Sequence, residues 1–229
     1  MSESFPPAAN SLFNFGPLAE TYENWYNTPA GREHDFMQQQ DALELIRQAS
    51  PSGLLLDVGC GSGHWSRFFQ SAGYEVQGID VSARMIREAM NTAPECKFSI
   101  GDACALPFQD ASFVIAASMA ALEFMAAPET AVREMARCVK PGGRLIIGTL
   151  NRLAPLNQDR LDSGKQPYAS GRLFSPQELW DLISPYGKIR MVSSSVLESR
   201  ETPSRFVQIH PPVPLRHLAG PFVIAEVRK

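Results

Sequence analysis

The sequence contains few cysteines, and their arrangement excludes the sites that cysteines most often build. Cys60, Cys96, Cys104 and Cys138 form no CxxC pair, and the four histidines are scattered along the chain. This pattern is typical of neither a zinc site nor a disulfide framework. We therefore expect no bound metal and a reducing, cytoplasmic environment in which thiols stay free.

An excess of positive charge is also missing. The chain has 21 Lys and Arg against 24 Asp and Glu, which gives a net charge of −3. Proteins that grip nucleic-acid phosphates usually show a basic excess. We therefore expect no nucleic-acid partner and favour a small molecule as the ligand.

Long apolar segments are absent as well. The longest nearly apolar run, residues 113–127, is about 15 residues long and contains Ser118 and Glu123, which makes it too short and too polar to span a bilayer. The N-terminal residues MSESFPPAANS contain no basic stretch followed by an apolar one, so they do not resemble a signal peptide. We therefore expect a soluble protein without membrane contact.

What the sequence does contain is an alternation of short apolar strands and helices. The 229 residues, 44% hydrophobic and 20% charged, are sufficient for one well-buried domain. The patterns predict strands at 54–58, 75–79, 96–100, 113–117 and 144–149, and helices at 64–72, 82–91 and 128–139. This alternation predicts parallel strands joined by crossover helices, hence a doubly wound, mostly parallel α/β sheet.

The flanking segments complete the predicted fold. A helix is expected at 34–49 and another after Ser175, with Pro176 in its first position and Glu178 in its third. Residues 1–30 are expected to be irregular apart from a short helix near 18–26, and residues 151–172 polar and irregular. Two late strands, at 189–197 and 222–228, have no helix between them and are expected to form an antiparallel pair at one edge of a seven-stranded, Rossmann-like sheet.

A glycine-rich turn follows the first strand. Asp57-Val58-Gly59-Cys60-Gly61-Ser62-Gly63 runs directly into the helix at 64–72. Glycines at alternate positions let the chain turn tightly and let a ligand lie against the backbone, while the N–H groups at the helix start face that ligand. Ligands of open α/β sheets bind at this end of the strands.

Two further acids follow the next two strands. Asp80 lies 23 residues after Asp57, where a carboxylate can accept hydrogen bonds from ribose hydroxyls. Asp102 ends the third strand, where it can reach the adenine of the same nucleoside. The dinucleotide pattern G-x-G-x-x-G is not met, since His64 stands where its third glycine would be. An acid such as Asp57 suits the positive charges of S-adenosylmethionine better than a pyrophosphate.

At these residues the chain resembles the class I S-adenosylmethionine-dependent methyltransferases, above all small members with the D-V-G-C-G-S-G turn. The resemblance covers roughly residues 54–150 and includes the motifs G-I-D-V-S at 78–82, G-D-A at 101–103 and V-K-P-G-G at 139–143. Residues 22–31 also resemble a segment that closes over the cofactor in this family. The predicted cofactor-binding residues are Asp57, Gly59, Cys60, Gly61, Gly63, Asp80, Val81, Met85, Asp102, Ala103, Ser118 and Tyr26.

The resemblance implies a single domain that transfers a methyl group from S-adenosylmethionine by direct in-line displacement. In this division, residues 1–50 form an N-terminal cap, 51–150 the cofactor-binding half, and 151–229 a substrate-shaping segment. Three alternatives stay open: an NAD-dependent oxidoreductase with the same sheet, a protein that binds the cofactor without methyl transfer, and a nucleic-acid methyltransferase. The last is disfavoured because no Asn/Asp-Pro-Pro-aromatic tetrapeptide follows the fourth strand and no basic patch is present.

The resemblance is weaker where an acceptor would bind. Val114 stands where family members often have Asp, and the turn at 118–124 lacks an obvious base, so no catalytic residue is predicted. We expect His64 to be a partly exposed helix residue and Glu123 to be a solvated loop acid. The methyl acceptor, the methylated atom and the oligomeric state are left open.

Overall fold

The computed structural model of the protein describes residues 10–47, 52–194, 207–208, 215 and 218–229. Its centre is one sheet of eight strands: β1 (Gly53–Val58), β2 (Tyr74–Asp80), β3 (Lys97–Ile100), β4 (Phe113–Met119), β5 (Val139–Leu150), β6 (Lys188–Ser194), β7 (Val207–Gln208) and β8 (Phe222–Arg228). The strands lie side by side in the order β3-β2-β1-β4-β5-β8-β6-β7. The pairs among β1 to β5 are parallel, which confirms the predicted doubly wound α/β sheet.

The late strands form the predicted antiparallel pair, with one difference in their placement. β8 is antiparallel to both β5 and β6 and lies between them, while the two-residue β7 is the antiparallel edge strand. Six consecutive residues of β8 are buried, and such a continuous run suits a strand covered on both faces. The predicted residues 195–197 lie outside the described residues.

Seven α-helices flank the sheet within the described part of the chain: α1 (Ala19–Tyr22), α2 (Pro29–Ile46), α3 (His64–Ser71), α4 (Ala83–Thr92), α5 (Pro128–Cys138), α6 (Pro155–Asp162) and α7 (Pro176–Ile183). Short 3₁₀ turns at Gly16–Leu18, Leu122–Phe124, Tyr168–Ser170 and Ser184–Tyr186 join them. The capping box at Ser175 and Glu178 forms as predicted. None of these helices is both long and apolar enough to cross a bilayer.

Two helices differ from the predictions. α2 begins five residues early, at Pro29, because the Thr28 hydroxyl caps it by accepting a hydrogen bond of 2.9 Å from Gly31 N. α6 lies in a segment that we expected to be irregular. Its anchor is the buried amide of Asn157, which donates hydrogen bonds to Asn151 O and Pro221 O. A helix that is held by polar contacts has no apolar stripe to reveal it.

The core lies in two layers, one on each face of the sheet. Against one face pack residues of α5 and α7, including Met135 and Leu179. Against the other pack residues of α2 and α3, including Leu45 and Phe69. Since described helices cover both faces, the ends of the strands are where a ligand is expected to reach the sheet.

Candidate functional site

A cavity of about 630 Å³ opens at the carboxyl ends of β1, β2, β3 and β4. Its floor is the glycine turn after β1, and its far wall is the N-terminal segment at residues 10–17. The volume falls within the roughly 300–1,000 Å³ of small-molecule sites. Of the twelve predicted cofactor-binding residues, nine line it: Tyr26, Gly59, Cys60, Gly61, Asp80, Val81, Met85, Asp102 and Ala103.

The three glycines of the turn have different structural roles. All three adopt left-handed backbone conformations, with φ of 72° at Gly59, 52° at Gly61 and 85° at Gly63. A Cβ on Gly59 would lie 2.6 Å from Ala121 Cβ, and one on Gly63 would lie 3.0 Å from the backbone of Ala89, whereas one on Gly61 would meet nothing within 4 Å. Gly61 is therefore the position where the bare backbone faces open space.

Asp80 is held against this turn. Its Oδ2 accepts a hydrogen bond of 3.0 Å from Gly61 N, and its Oδ1 accepts one of 2.8 Å from Ser82 N. Burial raises the pKa of the carboxyl, an effect that these backbone donors oppose. The carboxylate thus joins the glycine turn to the start of α4 at the edge of the cavity.

Asp102 lies on the neighbouring wall and is linked to the N-terminal segment. Its Oδ1 accepts a hydrogen bond of 2.8 Å from Cys104 N. Its Oδ2 accepts a hydrogen bond from Asn10 Nδ2, and Asn10 O in turn accepts one from Ala126 N. The N-terminal segment is therefore fastened to the acid that we predicted for the adenine end.

Three of the predicted residues, Asp57, Gly63 and Ser118, do not line the cavity. Asp57 is still part of β1, so its side chain points to a face of the sheet and accepts a hydrogen bond of 2.6 Å from Ser66 Oγ. Burial raises its pKa to about 7. Gly63 packs against α4, and Ser118 is fully buried within β4.

His64 is buried, contrary to our expectation of a partly exposed residue. Its Nε2 lies 2.7 Å from Asp35 Oδ1 and its Nδ1 lies 3.5 Å from Glu23 Oε2. Glu23 also accepts a hydrogen bond of 2.5 Å from Ser62 Oγ. These contacts join the segment before α2, and α2 itself, to the glycine turn. No local pattern predicts them, since the partners lie far apart in the sequence.

Glu123 is also buried rather than solvated. Its Oε1 accepts a hydrogen bond of 2.6 Å from Leu150 N, and no described residue bonds to its Oε2. Burial raises the pKa of this carboxyl to about 7. It lines neither this cavity nor the smaller one beside it, and its visible contact is structural.

A second cavity, of about 240 Å³, adjoins the first. The two share the wall formed by Phe15, Tyr22, Tyr26, Ala120 and Phe124. The remaining wall comes from the segment around Trp25, from α2, α6 and the turn that contains Tyr168, and from Leu150 and Phe222 of the sheet. Neither this cavity nor α6 was predicted, because its residues come from segments that are distant in the sequence.

Comparisons with known proteins agree with this site. Residues 56–147 match the model of a methyltransferase domain family. The chain is 35% identical over 139 residues to malonyl-[acyl-carrier protein] O-methyltransferase of Erwinia pyrifoliae. This alignment covers 59% of this chain and 49% of that protein. The chain is also 37% identical over 129 residues to 2-methyl-6-phytyl-1,4-hydroquinone methyltransferase of Synechocystis sp. That alignment covers 53% of this chain and 40% of that protein. The chain spans about half the length of the first curated relatives that it matches.

A solved structure resembles almost the whole chain. It is a S-adenosylmethionine-dependent methyltransferase and possible histamine N-methyltransferase from Thermotoga maritima, with a TM-score of 0.68 and 25% identity over 94% of this chain and 97% of that one. The family match at residues 56–147 includes the glycine turn and the strand-end acids Asp80 and Asp102 of the larger cavity. Residues 56–147 therefore match the methyltransferase domain family, and the chain as a whole has the fold of an S-adenosylmethionine-dependent methyltransferase.

Proposed function

We propose that this chain transfers the methyl group of S-adenosylmethionine to a small-molecule acceptor. The observation that carries the proposal is the joint placement of Gly61, Asp80 and Asp102 in one cavity that adjoins a second. The first cavity suits a nucleoside donor, and the second leaves room for a separate molecule beside it. The named relatives act on different compounds, so their substrates are not assigned to this chain.

The residues of the larger cavity fit the donor. The open space above Gly61 accepts a ligand against the backbone. The carboxylate of Asp80 suits a ribose diol, and that of Asp102 suits the amino edge of adenine. Direct contact is proposed for Gly59, Cys60, Gly61, Asp80, Val81, Met85, Asp102, Ala103 and Tyr26. Asp57, Gly63 and Ser118 are proposed to support the turn from behind the cavity wall.

When bound, the donor supplies a methyl carbon on a positively charged sulfur. Held by Gly61, Asp80 and Asp102, it would give that carbon to the acceptor's nucleophile, and the sulfur would keep the electron pair of the broken carbon–sulfur bond. The protein contributes alignment of the two reactants and exclusion of water. A general base is required only for an acceptor that is protonated before the reaction.

We further propose the division of labour along one domain. Residues 1–50 act as the cap, since Asn10, Glu23 and Asp35 contact the cofactor half. Residues 51–150 hold the donor, and residues 151–229 shape the acceptor site through α6 and Tyr168. With a net charge of −3, the proposal includes no nucleic-acid partner.

A calorimetric titration tests the donor, and a labelling experiment tests the transfer. We expect S-adenosylmethionine and S-adenosylhomocysteine to bind and NAD not to bind. Incubation of a metabolite extract with donor labelled in its methyl group should then yield labelled small molecules. Binding of NAD in place of the methyl donor contradicts the proposal, and donor binding without labelled product identifies a cofactor-binding protein that does not transfer.

A further inference from the structure

We propose that the second cavity is the acceptor site, and that Arg160 makes it select a small, flat, mostly apolar molecule with one anionic group. The inference deepens the proposed function and rests on it. It assigns a substrate class and a specificity-determining residue to the smaller of the two cavities.

The position of the cavity supports this assignment. Tyr22, Tyr26 and Phe124 each line both cavities, so a molecule in the second would lie across one shared wall from a donor in the first. Ala120 belongs to the same shared wall and has a left-handed backbone, with φ of 52°. This backbone conformation is energetically unfavourable for a residue other than glycine. Such strained residues are found repeatedly at functional sites.

The residues that line the second cavity indicate the shape and polarity of its ligand. Beyond the shared residues, large apolar or aromatic side chains dominate it, including Trp25, Leu150, Tyr168 and Phe222. Aromatic rings prefer to pack against flat or apolar groups. The volume of about 240 Å³ lies below the roughly 300 Å³ at which drug-sized sites begin. The ligand is therefore a small ring compound rather than a long chain.

The charge of the cavity predicts the group on that ring. Arg160 Cζ lies 4.9 Å from the centroid of the Tyr168 ring and 5.9 Å from that of Trp25. Its Nη1 donates a hydrogen bond of 2.9 Å to Asn157 Oδ1, and no described carboxylate forms an ion pair with the guanidinium. A guanidinium has five N–H donors, so donors remain for an anion.

The other titratable groups on this wall do not neutralise Arg160. Asp35 is engaged by His64 at 2.7 Å and by Gln39 at 3.0 Å. Burial, followed by the positive charge of Arg160, lowers the pKa of His34, so this imidazole is neutral at neutral pH. Among the described residues that line this cavity, Arg160 thus supplies the cationic hydrogen-bond donor in a mostly apolar enclosure, where an anion gains more from it than it does in water.

Matched pairs of ring compounds test the selection. We would titrate 4-hydroxybenzoate against 4-hydroxybenzyl alcohol, and indole-3-acetate against indole-3-ethanol, both with and without saturating S-adenosylhomocysteine. In the wild type, each carboxylate should bind about tenfold more tightly than its alcohol, as expected for charge-assisted hydrogen bonds. Arg160→Gln should remove most of that preference while leaving the affinities for the alcohol and for S-adenosylhomocysteine unchanged.

Arg172→Gln is the matched control, because Arg172 pairs with Glu129 on an exposed surface and lines neither cavity. It should keep the wild-type preference. Equal affinity of the wild type for both members of each pair, binding of neither, or an equal loss for both in Arg160→Gln would overturn the inference. If S-adenosylhomocysteine does not bind, the proposed function fails, and the titrations without it still decide the anion selection separately.

Discussion

The imidazole ring of His64 stacks on the phenol ring of Tyr26, with centroids 3.6 Å apart and planes 5° from parallel. His64 is the first residue of α3, directly after the glycine turn, whereas Tyr26 belongs to the segment before α2. Because the same imidazole lies between Glu23 and Asp35, one ionisable side chain contributes to the attachment of the cap to the cofactor half.

This arrangement predicts a pH-dependent cap. Burial alone would lower the pKa of His64, but the carboxylates of Asp35 and Glu23 outweigh it and raise that pKa. Asp57 is a third acid near the ring. A raised folded-state pKa means that the stabilisation is complete below about pH 6.5, the unfolded value, and is lost as pH rises through the folded value.

We therefore expect α2 to exchange its amide hydrogens faster, relative to the sheet, at pH 9 than at pH 6. Hydrogen exchange corrected for the intrinsic effect of pH measures this ratio. His64→Gln should abolish its pH dependence, since glutamine does not titrate. An unchanged dependence in that variant would show that the charge of His64 does not hold the cap.

A second prediction concerns Gly61. Replacing it with alanine places a methyl group in the open space of the donor cavity without a steric clash. The affinity for S-adenosylhomocysteine should fall about tenfold or more, because the bare backbone is needed for close approach of the ligand. Calorimetry measures the effect.

Gly142→Ala is the control for backbone strain. Gly142 also has a positive φ, of 76°, and a Cβ there also meets nothing within 4 Å. Both variants should lose a similar amount of stability, roughly 1 kcal/mol for the left-handed conformation, but only Gly61→Ala should lose ligand affinity. Equal affinities of the two variants for S-adenosylhomocysteine would show that Gly61 is not part of the binding site.

A third prediction separates the two acids near the glycine turn. Asp80→Ala should weaken binding of S-adenosylmethionine by about 1–3 kcal/mol, the contribution of a hydrogen bond to a charged group. Asp57→Asn keeps an acceptor for Ser66 Oγ and changes a side chain behind the cavity wall, so its effect should be smaller. Calorimetric titration of both variants provides the test. A larger loss of affinity in Asp57→Asn than in Asp80→Ala would indicate that Asp57 contacts the ligand directly.

A fourth prediction concerns the buried carboxyl of Glu123. Burial raises its pKa to about 7 from the ordinary value of 4.5. The Glu123 carboxyl therefore ionises at a lower pH in the unfolded chain than in the folded protein. Stability should therefore fall between about pH 4.5 and 7. Denaturant unfolding should show the wild type losing at most about 3 kcal/mol relative to Glu123→Gln across this range. Parallel pH profiles for the two proteins would contradict the assignment.

Features encoded within a few consecutive residues were predictable from the sequence. The left-handed glycines of the turn at 57–63, the bond from Ser82 N to Asp80 at the end of β2 and the capping box of α7 are each local to the chain. The same holds for the alternation of strands and helices that predicts the α/β sheet. These features indicated the family and most of the residues that line the larger cavity.

Only the tertiary structure decided which side of a wall each side chain faces. Asp57 points away from the cavity because it still belongs to β1, and His64 is buried because Glu23 and Asp35 reach it from segments 41 and 29 residues away. Arg160 faces an apolar cavity because α6 packs against Trp25 and Tyr168. Periodicity and spacing act over one or two turns of chain, whereas burial and charge at a site depend on the packing of distant segments.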